Sequence, residues 1–384
     1  MYVEGNPDGT IGGSFYSLLF LVKNLERSRF DPTVVFSKSN ELIPAFQAAG
    51  AEVIVRPLAP PLRAPHRLLR PFTRLANALL GFVIEPLRLA ALLRRRRIDL
   101  LHLNNSIERN HPWIMAAALA GVPRMTHERG INPHISLPAR LLVGHLRAVV
   151  CISSAVRDNL LRLGVDAGKL RTIWNGLDPV EMKVVKDREA VLAELGLPPS
   201  VRLVGMVGNV REWKGQAVVV EAMEAVVREF PDVACLLIGH HSEGDMAYMR
   251  QIEARIAAAG LQRHVLVTGY RANVADYVAA LELLIHASIL PEPFGRVLLE
   301  GMALRKPLVA SRGGAVPEIV DDGVTGLLFE PGNANDLADK LIRLLGSPAD
   351  SQAMGQAGYE RLRSQFGIDV NAARTMAVYD ELLS

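Results

Sequence analysis

The chain has 384 residues, of which 49% are apolar and 22% charged, with a formal net charge of +3. This length exceeds one ordinary hydrophobic core and predicts two domains, while the apolar share excludes a disordered chain. The only cysteines, Cys151 and Cys235, exclude a disulfide framework and a cysteine zinc site and fit a reducing compartment. The first residues show no basic segment followed by an apolar one, so we expect no signal peptide and a cytoplasmic protein.

Positive charge is concentrated in residues 62–97, which contain nine arginines and one acid, Glu85. Because Glu85, Pro86 and Arg88 interrupt the apolar window 75–93, we do not expect this segment to span a membrane. Two interpretations stay open: peripheral contact with the inner face of an anionic membrane, or a helix that buries its apolar face beneath arginine stems. Nucleic acid is not an expected partner, because stacking aromatic residues and nucleic-acid motifs are missing.

The first half of the chain alternates short apolar strands with helical patterns. Residues 2–4 predict a strand, which is followed by a glycine-rich turn, GNPDGTIGGS, and a helix. So short a strand predicts either an upstream start or an abbreviated first strand. Further strands are predicted at 33–37, 51–57, 99–105, 124–128, 148–153 and 170–176, with helices near 41–49, 112–120 and 155–163. This alternation predicts a parallel sheet covered on both faces.

The second half repeats this α/β architecture after a cluster of turn residues at 175–179. Its strands are predicted at 201–208, 234–239, 264–269, 281–288, 307–311 and 326–329. Two such domains hinged at one point leave a cleft, and in open α/β sheets ligands bind at the carboxyl ends of the strands.

The most informative segment is 289–333, where a proline-bounded loop holds Glu292 and the following helix carries Glu300. At about 1.5 Å per residue these glutamates lie up to about 12 Å apart. Carboxylates that share acid/base work on one glycosidic bond lie roughly 5–9.5 Å apart. The pair is therefore predicted to accept hydrogen bonds from opposite ends of one long ligand, with a sugar at one end and a ribose at the other. Backbone amides at the helix start would bind anions and polar oxygens; they belong to Phe294, Gly295, Arg296 and Val297.

This segment resembles the nucleotide-binding signature of the glycosyl transferases group 1 family, in which seven residues separate two glutamates. The resemblance extends over nearly the whole chain and includes Gly12-Gly13, VVCISSAVRDNLLRLGV, IWNGLD, WKGQ, VTGYRANV and GVTGLLFEPGN. It implies the GT-B fold, an α/β arrangement of two Rossmann-like domains facing across a cleft. The first domain would comprise 1–178, and the nucleotide-sugar-binding domain 179–367. The last helix, 368–384, would cross back to the first domain.

The resemblance also implies an activity. A hexosyl-type unit would pass from a nucleoside diphosphate sugar to an acceptor hydroxyl with retention of configuration, in polysaccharide, glycolipid or other glycoconjugate synthesis. The acceptor would be a glycan, a lipid-linked molecule or a small molecule, and no metal or other cofactor is expected. The sequence contains no obvious double-displacement nucleophile, which favours a front-face path in which the departing diphosphate helps to deprotonate the acceptor.

By resemblance, Glu300 accepts bonds from the ribose hydroxyls, Glu292 contacts the transferred sugar, and Lys214 neutralises the diphosphate. The family usually has an arginine five residues before this lysine, and Asn209 stands there in this chain. Either the nearby Arg211 reaches the diphosphate, or the site has one cation fewer. We favour Arg211, because a leaving diphosphate without a metal needs more than one cation.

The first domain supplies further candidates. Gly12 and Gly13 leave the backbone free to approach donor and acceptor. His127 lies at the carboxyl end of a predicted strand and matches the family position of a histidine near the reacting sugar. Its neighbours Glu128 and Arg129 are candidates for acceptor contact. The predicted catalytic residues are thus His127, Arg211, Lys214 and Glu292.

Three other classes of protein stay open. A nicotinamide-dependent oxidoreductase needs a G-x-G-x-x-G turn, whereas the first turn reads G-T-I-G-G-S. A sugar-nucleotide epimerase of the same shape would act without an acceptor. A non-catalytic scaffold would have lost the cations or the glutamates. The spacing of His240, His241, Glu243 and Asp245 matches no standard metal motif, so no metal site is predicted there.

Overall fold

The computed structural model describes residues 1–5, 11–57, 62–64 and 66–384. It divides into two compact units: Met1–Gly176 with Ile368–Ser384, and Leu177–Gly367. Residues 6–10 of the predicted glycine-rich turn, and residue 65 of the basic segment, lie outside the described residues.

The first unit contains a seven-stranded parallel sheet, ordered β3-β2-β1-β4-β5-β6-β7. Its strands are β1 (Tyr2–Glu4), β2 (Thr33–Phe36), β3 (Glu52–Val55), β4 (Leu101–Leu103), β5 (Arg124–Glu128), β6 (Ala148–Cys151) and β7 (Leu170–Thr172). The chain reverses its direction of travel across the sheet between β1 and β4, which makes that point the topological switch of the sheet.

The helices of the first unit cover the sheet and bury most of its strands. They are α1 (Gly13–Lys23), α2 (Ile43–Ala48), α3 (Arg70–Leu79), α4 (Glu85–Arg95), α5 (His111–Ala120), α6 (Leu137–Val143), α7 (Ser154–Arg162) and α16 (Ile368–Leu383). A π-helical turn, Leu80–Ile84, joins α3 to α4. The C-terminal helix α16 belongs to the core of this unit, where Ala372 and Tyr379 pack among residues of α1 and β2.

The second unit has a six-stranded parallel sheet, ordered β10-β9-β8-β11-β12-β13, and its own core. Its strands are β8 (Arg202–Val207), β9 (Val233–Ile238), β10 (Val265–Gly269), β11 (Leu283–His286), β12 (Leu308–Ser311) and β13 (Gly326–Phe329). Its helices are α8 (Arg188–Glu194), α9 (Gln216–Glu229), α10 (Met246–Ala258), α11 (Val274–Ala280), α12 (Arg296–Ala303), α13 (Val316–Ile319), α14 (Ala334–Gly346) and α15 (Pro348–Gln365). The topological switch of this sheet lies between β8 and β11.

The two Rossmann-like parallel sheets predicted from the sequence are confirmed. The division between the units lies two residues before the predicted one at Asp178. The reason is local pairing: Leu177 forms an isolated bridge with Gly367 and donates its N–H to the carbonyl of Phe366 at 3.0 Å. Leu177 is therefore tied to the second unit.

Candidate functional site

The carboxyl ends of β8 and β11 form the first part of the site. After β8 the chain makes a short 3₁₀ turn, Glu212–Lys214, and enters α9 through Gly215, whose φ is +81°. A Cβ on Gly215 would lie 2.0 Å from the carbonyl oxygen of Ala287, just beyond β11. Only glycine allows this close approach, and the approach brings Lys214 to the end of β11.

Three polar side chains converge on the buried carboxylate of Glu292. The Lys214 ammonium lies 2.7 Å from Oε2 of Glu292, and the Ser288 hydroxyl donates to the same oxygen at 2.9 Å. Nε2 of His286 lies 3.3 Å from it. Lys214 also lies over the ring of Trp213, 4.1 Å from its centroid. The sequence predicts Glu292 and Lys214 as site residues, and the structure brings them into direct contact.

These contacts determine the charge of Glu292. Burial by itself would raise the pKa of its carboxyl group. The hydrogen bond and charge of His286, together with the charge of Lys214, outweigh burial and lower the pKa to about 2. Glu292 is therefore ionised at neutral pH and acts as a hydrogen-bond acceptor, which agrees with the predicted clamp and not with a general acid.

The loop that holds Glu292 depends on a second glycine. Gly314 has φ +59°, and a Cβ there would lie 2.2 Å from the carbonyl oxygen and 2.5 Å from the amide nitrogen of Glu292. The next residue, Ala315, donates its N–H to that carbonyl at 2.8 Å. The turn after β12 thus packs directly against the Glu292 backbone and holds it by a hydrogen bond.

The loop then turns into α12 at Gly295, whose φ is +89°. No side chain caps this helix start, and the first-turn N–H groups of an α-helix, such as that of Val297, find no acceptor within the helix itself. The ring of Phe294 is buried and packs edge-on against Phe366. These amides form a helix N-terminus suited to an anion or to polar oxygens, as the sequence predicts.

Glu300 lies one turn further along α12 and is half-buried. Burial raises the pKa of its carboxyl group, and the charge of Arg296 opposes this effect. Among the described residues none donates a hydrogen bond to this carboxylate. Buried polar groups are normally hydrogen-bonded, so Glu300 is a candidate acceptor for donors supplied by a ligand.

The two candidate diphosphate contacts after β8, Asn209 and Arg211, are both exposed. The carbonyl of Asn209 accepts a hydrogen bond from the Gln216 side chain at 3.0 Å, within the loop that follows β8. Arg211 is half-exposed, and its guanidinium lies 3.8 Å from Asp245. An exposed pair at this distance is weak, so Arg211 can turn toward an anion at little cost.

In the first unit, His127 ends a buried hydrogen-bond chain. Its Nδ1 lies 2.6 Å from Nε2 of His102, whose Nδ1 lies 2.7 Å from the hydroxyl of Tyr379 on α16. Tyr379 in turn donates to the hydroxyl of Tyr2 at 3.1 Å. Burial, assisted by the charge of Arg129, lowers the pKa of both histidines well below the usual value. His127 is therefore neutral at pH 7.

The two neighbours of His127 are engaged in the first unit itself. Glu128 is buried and accepts the N–H of Ile107 at 3.2 Å. The guanidinium of Arg129 donates to the carbonyl and side-chain oxygens of Asn104 and to Asn175, at 2.7–2.9 Å. Both side chains stabilise the carboxyl edge of the sheet, so their predicted contact with the acceptor stays a prediction.

Gly12 and Gly13 open helix α1. Gly12 has an extended backbone, and no described atom lies within 4 Å of an added Cβ. Neither conformation nor internal packing therefore requires glycine at Gly12, which is consistent with the predicted approach of a ligand.

The sequence did not predict roles for His286 and Ser288 in the second unit, or for His102 and its tyrosine partners in the first. A weak signal existed for His286 and Ser288, because polar residues at the carboxyl end of a buried strand often line a site. His102 could not be linked to His127 without the register of β4 on β5.

Comparison with known proteins follows the same division of the chain. Residues 187–361 match the family model of glycosyl transferases group 1, and residues 11–181 match that of glycosyltransferase family 4. Residues 187–361 therefore belong to the glycosyl transferases group 1 family. Together the two matches include both predicted glutamates, Lys214 and His127.

Individual known proteins are also similar to this chain. The lipopolysaccharide core biosynthesis mannosyltransferase LpsB of Rhizobium meliloti is 30% identical over 55% of this chain and 60% of its own length. N-acetyl-alpha-D-glucosaminyl L-malate synthase of Bacillus anthracis is 26% identical over 77% of this chain and 78% of its own. The first match thus spans less than two thirds of that relative. Among solved structures, HepE of Anabaena in complex with UDP has the same fold, with TM-score 0.83, 23% identity and 99% of each chain covered.

Proposed function

We propose that this protein transfers a hexosyl-type unit from a nucleoside diphosphate sugar to an acceptor hydroxyl, with retention of configuration. One observation carries the proposal. An ionised carboxylate, Glu292, and a carboxylate that accepts no hydrogen bond from a described residue, Glu300, flank the uncapped start of α12. The cation Lys214 contacts the Glu292 carboxylate at 2.7 Å.

These groups match the parts of an extended donor. Glu300 is suited to the ribose hydroxyls because it is half-buried and ionisable, and two neighbouring hydroxyls can each donate to one of its oxygens. The helix N-terminus and Lys214 are suited to the diphosphate. Glu292 is suited to a hydroxyl of the transferred sugar. Neighbours in fold support this class of donor, since HepE has been crystallised with UDP and with UDP-glucose.

The reaction needs charge stabilisation more than proton transfer by the protein. As the bond from the anomeric carbon to the diphosphate breaks, negative charge grows on the leaving oxygen. Lys214, the amides of Arg296 and Val297 and, after turning, Arg211 would stabilise it. The acceptor hydroxyl then adds to the same face, and its proton passes to the departing diphosphate. No metal is part of this proposal, since side-chain cations and amides supply the positive charge.

The acceptor is proposed only by class: a glycan, a lipid-linked molecule or a small molecule with a free hydroxyl, used in glycoconjugate synthesis in the cytoplasm. The neutral His127 is suited to donate or accept one hydrogen bond to a ligand hydroxyl, because burial keeps it uncharged.

The donor class is tested by thermal shift with UDP, GDP, ADP and their sugar conjugates. We expect at least one to raise the melting temperature of the wild type, and Glu300→Ala to remove most of that rise because the ribose contact is lost. Glu253→Ala, an exposed glutamate on α10, is the matched control and should keep the rise. If nucleotide raised the melting temperature of Glu300→Ala as much as that of the wild type, the ribose role of Glu300 would be contradicted.

Transfer itself is tested by NMR of the products formed from an α-linked donor. Retention predicts an α-linked product, and the reaction should continue in EDTA. An epimerised donor formed without any acceptor would instead identify a sugar-nucleotide epimerase.

A further inference from the structure

The helical run Arg70–Arg95 exposes an apolar stripe. The leucine, phenylalanine and valine side chains on one face of its first half, together with Leu68 in the 3₁₀ turn just before it, are 42–78% exposed. Their spacing follows the helical repeat, so they form a continuous strip; they are Leu68, Phe72, Leu75, Leu79, Phe82 and Val83. Packing of this face against the protein, one of the two interpretations of the sequence, is wrong for this half of the run.

The second half of the run is anchored in the first unit. Pro86, Leu89, Ala90 and Leu93 of α4 are buried. By length and mean hydropathy the run Arg70–Arg95 is the one helix, in the part of the chain that the structure describes, that could cross a membrane. Crossing would require this packed face to leave its domain. The exposed stripe can meet a membrane surface without any such change.

Charge accompanies the stripe. Arg70 and Arg74 are exposed on another side of α3, one helical turn apart, and neither is in an ion pair with a described residue. The single acid of the segment, Glu85, is neutralised by Arg56 at 2.7 Å. An apolar face opposite a polar face with uncompensated arginines is the pattern of a helix that lies on a bilayer with anionic headgroups.

The run also borders the carboxyl edge of the first sheet. A cavity of about 70 Å³ there is lined by Glu4 and Gly5 at the end of β1, and by Glu85 and Leu89 of α4. The helix that carries the stripe therefore lies beside the edge at which α/β sheets bind their ligands.

We propose that this surface, residues 68–83 with Arg70 and Arg74, docks on the surface of an anionic lipid bilayer. The stripe would lie at the boundary between the lipid headgroups and the acyl chains. The long arginine side chains would contact lipid phosphates. This docking goes beyond the proposed transfer reaction and does not depend on it.

The test is sedimentation of the full chain with vesicles of pure phosphatidylcholine or with 30% phosphatidylglycerol. We expect binding to the anionic vesicles at low salt, weaker binding to neutral ones, and release by high salt without detergent. Phe72→Gln with Leu75→Gln should lower the partition coefficient at least about tenfold. Arg70→Gln with Arg74→Gln should lower it about twenty-five-fold, at about fivefold per arginine.

Matched controls separate the stripe from general surface chemistry. Leu141→Gln, on α6, removes a leucine that is 67% exposed. Arg157→Gln with Arg162→Gln removes two exposed arginines from α7. Both controls should bind like the wild type, and all variants should melt within a few degrees of it because the changed side chains are exposed.

Three outcomes would overturn the proposal. They are no binding of the wild type to anionic vesicles at low salt, release only by detergent, and a wild-type dimer that the stripe variants convert to a monomer. The last would identify a second copy of the chain as the occupant. Nucleotide-induced thermal shifts measured without vesicles report the donor site separately, so failure of either proposal is recognised by itself.

Discussion

At the carboxyl end of β11, the Glu292 carboxylate is contacted by a lysine, a serine and a histidine. Because these contacts lower its pKa from the usual 4.5 to about 2, the ionised form is favoured in the folded protein. The resulting stabilisation is fully present above about pH 4.5 and is lost as the pH falls toward 2.

Glu292→Gln should therefore destabilise the protein by up to about 3 kcal/mol at pH 6, and the difference should shrink by about 2 kcal/mol at pH 3. The measurement is the free energy of unfolding from denaturant titration at both pH values. Glu253→Gln is the control and should match the wild type at each pH. A difference for Glu292→Gln that does not change with pH would contradict the ionised pair.

Glu128 behaves in the opposite way. Burial raises the pKa of its carboxyl group to about 7, against the hydrogen bond from Ile107. The folded state then binds the proton more tightly than the unfolded state, so stability is present below pH 4.5 and is lost as the pH rises through 7. In wild type, the free energy of unfolding should fall by up to about 3 kcal/mol as the pH rises past 7, and Glu128→Gln should abolish this fall. Denaturant titrations at pH 5 and pH 8 measure it, and an equal decline in both proteins would count against the assignment.

Individual residues differed in how far the sequence could predict them. Glu292 and Lys214 were predicted through a resemblance that covers their flanking residues, and they are in contact. His286, Ser288 and His102 were missed because their roles arise from neighbours across a sheet. Such contacts depend on strand order and register, which no local pattern contains.

At the scale of elements, the turn at Gly314 supports the loop of Glu292. Gly314→Ala should displace that loop, because the new methyl group would lie 2.2–2.5 Å from the Glu292 backbone. We expect loss of stability and at least about tenfold weaker nucleotide binding by calorimetry. The adjacent Gly313→Ala is the control, since its Cβ would have no neighbour closer than 3.7 Å. Equal behaviour of the two variants would show that the turn does not hold the site.

Elements were easier to predict than contacts. Every strand identified from its apolar run is present, although Leu170–Thr172 covers less than half of the predicted 170–176. Helix α6 was not predicted, although Ser136 caps its start. The basic and apolar composition of Arg70–Arg95 is visible in the sequence. Whether its apolar face is buried or exposed could be read only from the structure.

At the scale of the whole molecule, α16 completes the first unit from the far end of the chain. Tyr379→Phe should lower the free energy of unfolding by about 1–3 kcal/mol, because His102 and Tyr2 both lose a buried hydrogen-bond partner. Tyr2→Phe should cost less, since Tyr379 still contacts His102. Denaturant unfolding of the two variants provides the comparison, and an equal or larger effect of Tyr2→Phe would contradict this role.

The same return of α16 sets an order of events during synthesis. A ribosome produces all of Leu177–Gly367 before it produces the residues of α16, so the second unit can close its core while the first still lacks part of its own. Domains usually fold from the N-terminus onward, and here the N-terminal one must wait. Until then the apolar positions that α16 covers stay open to solvent.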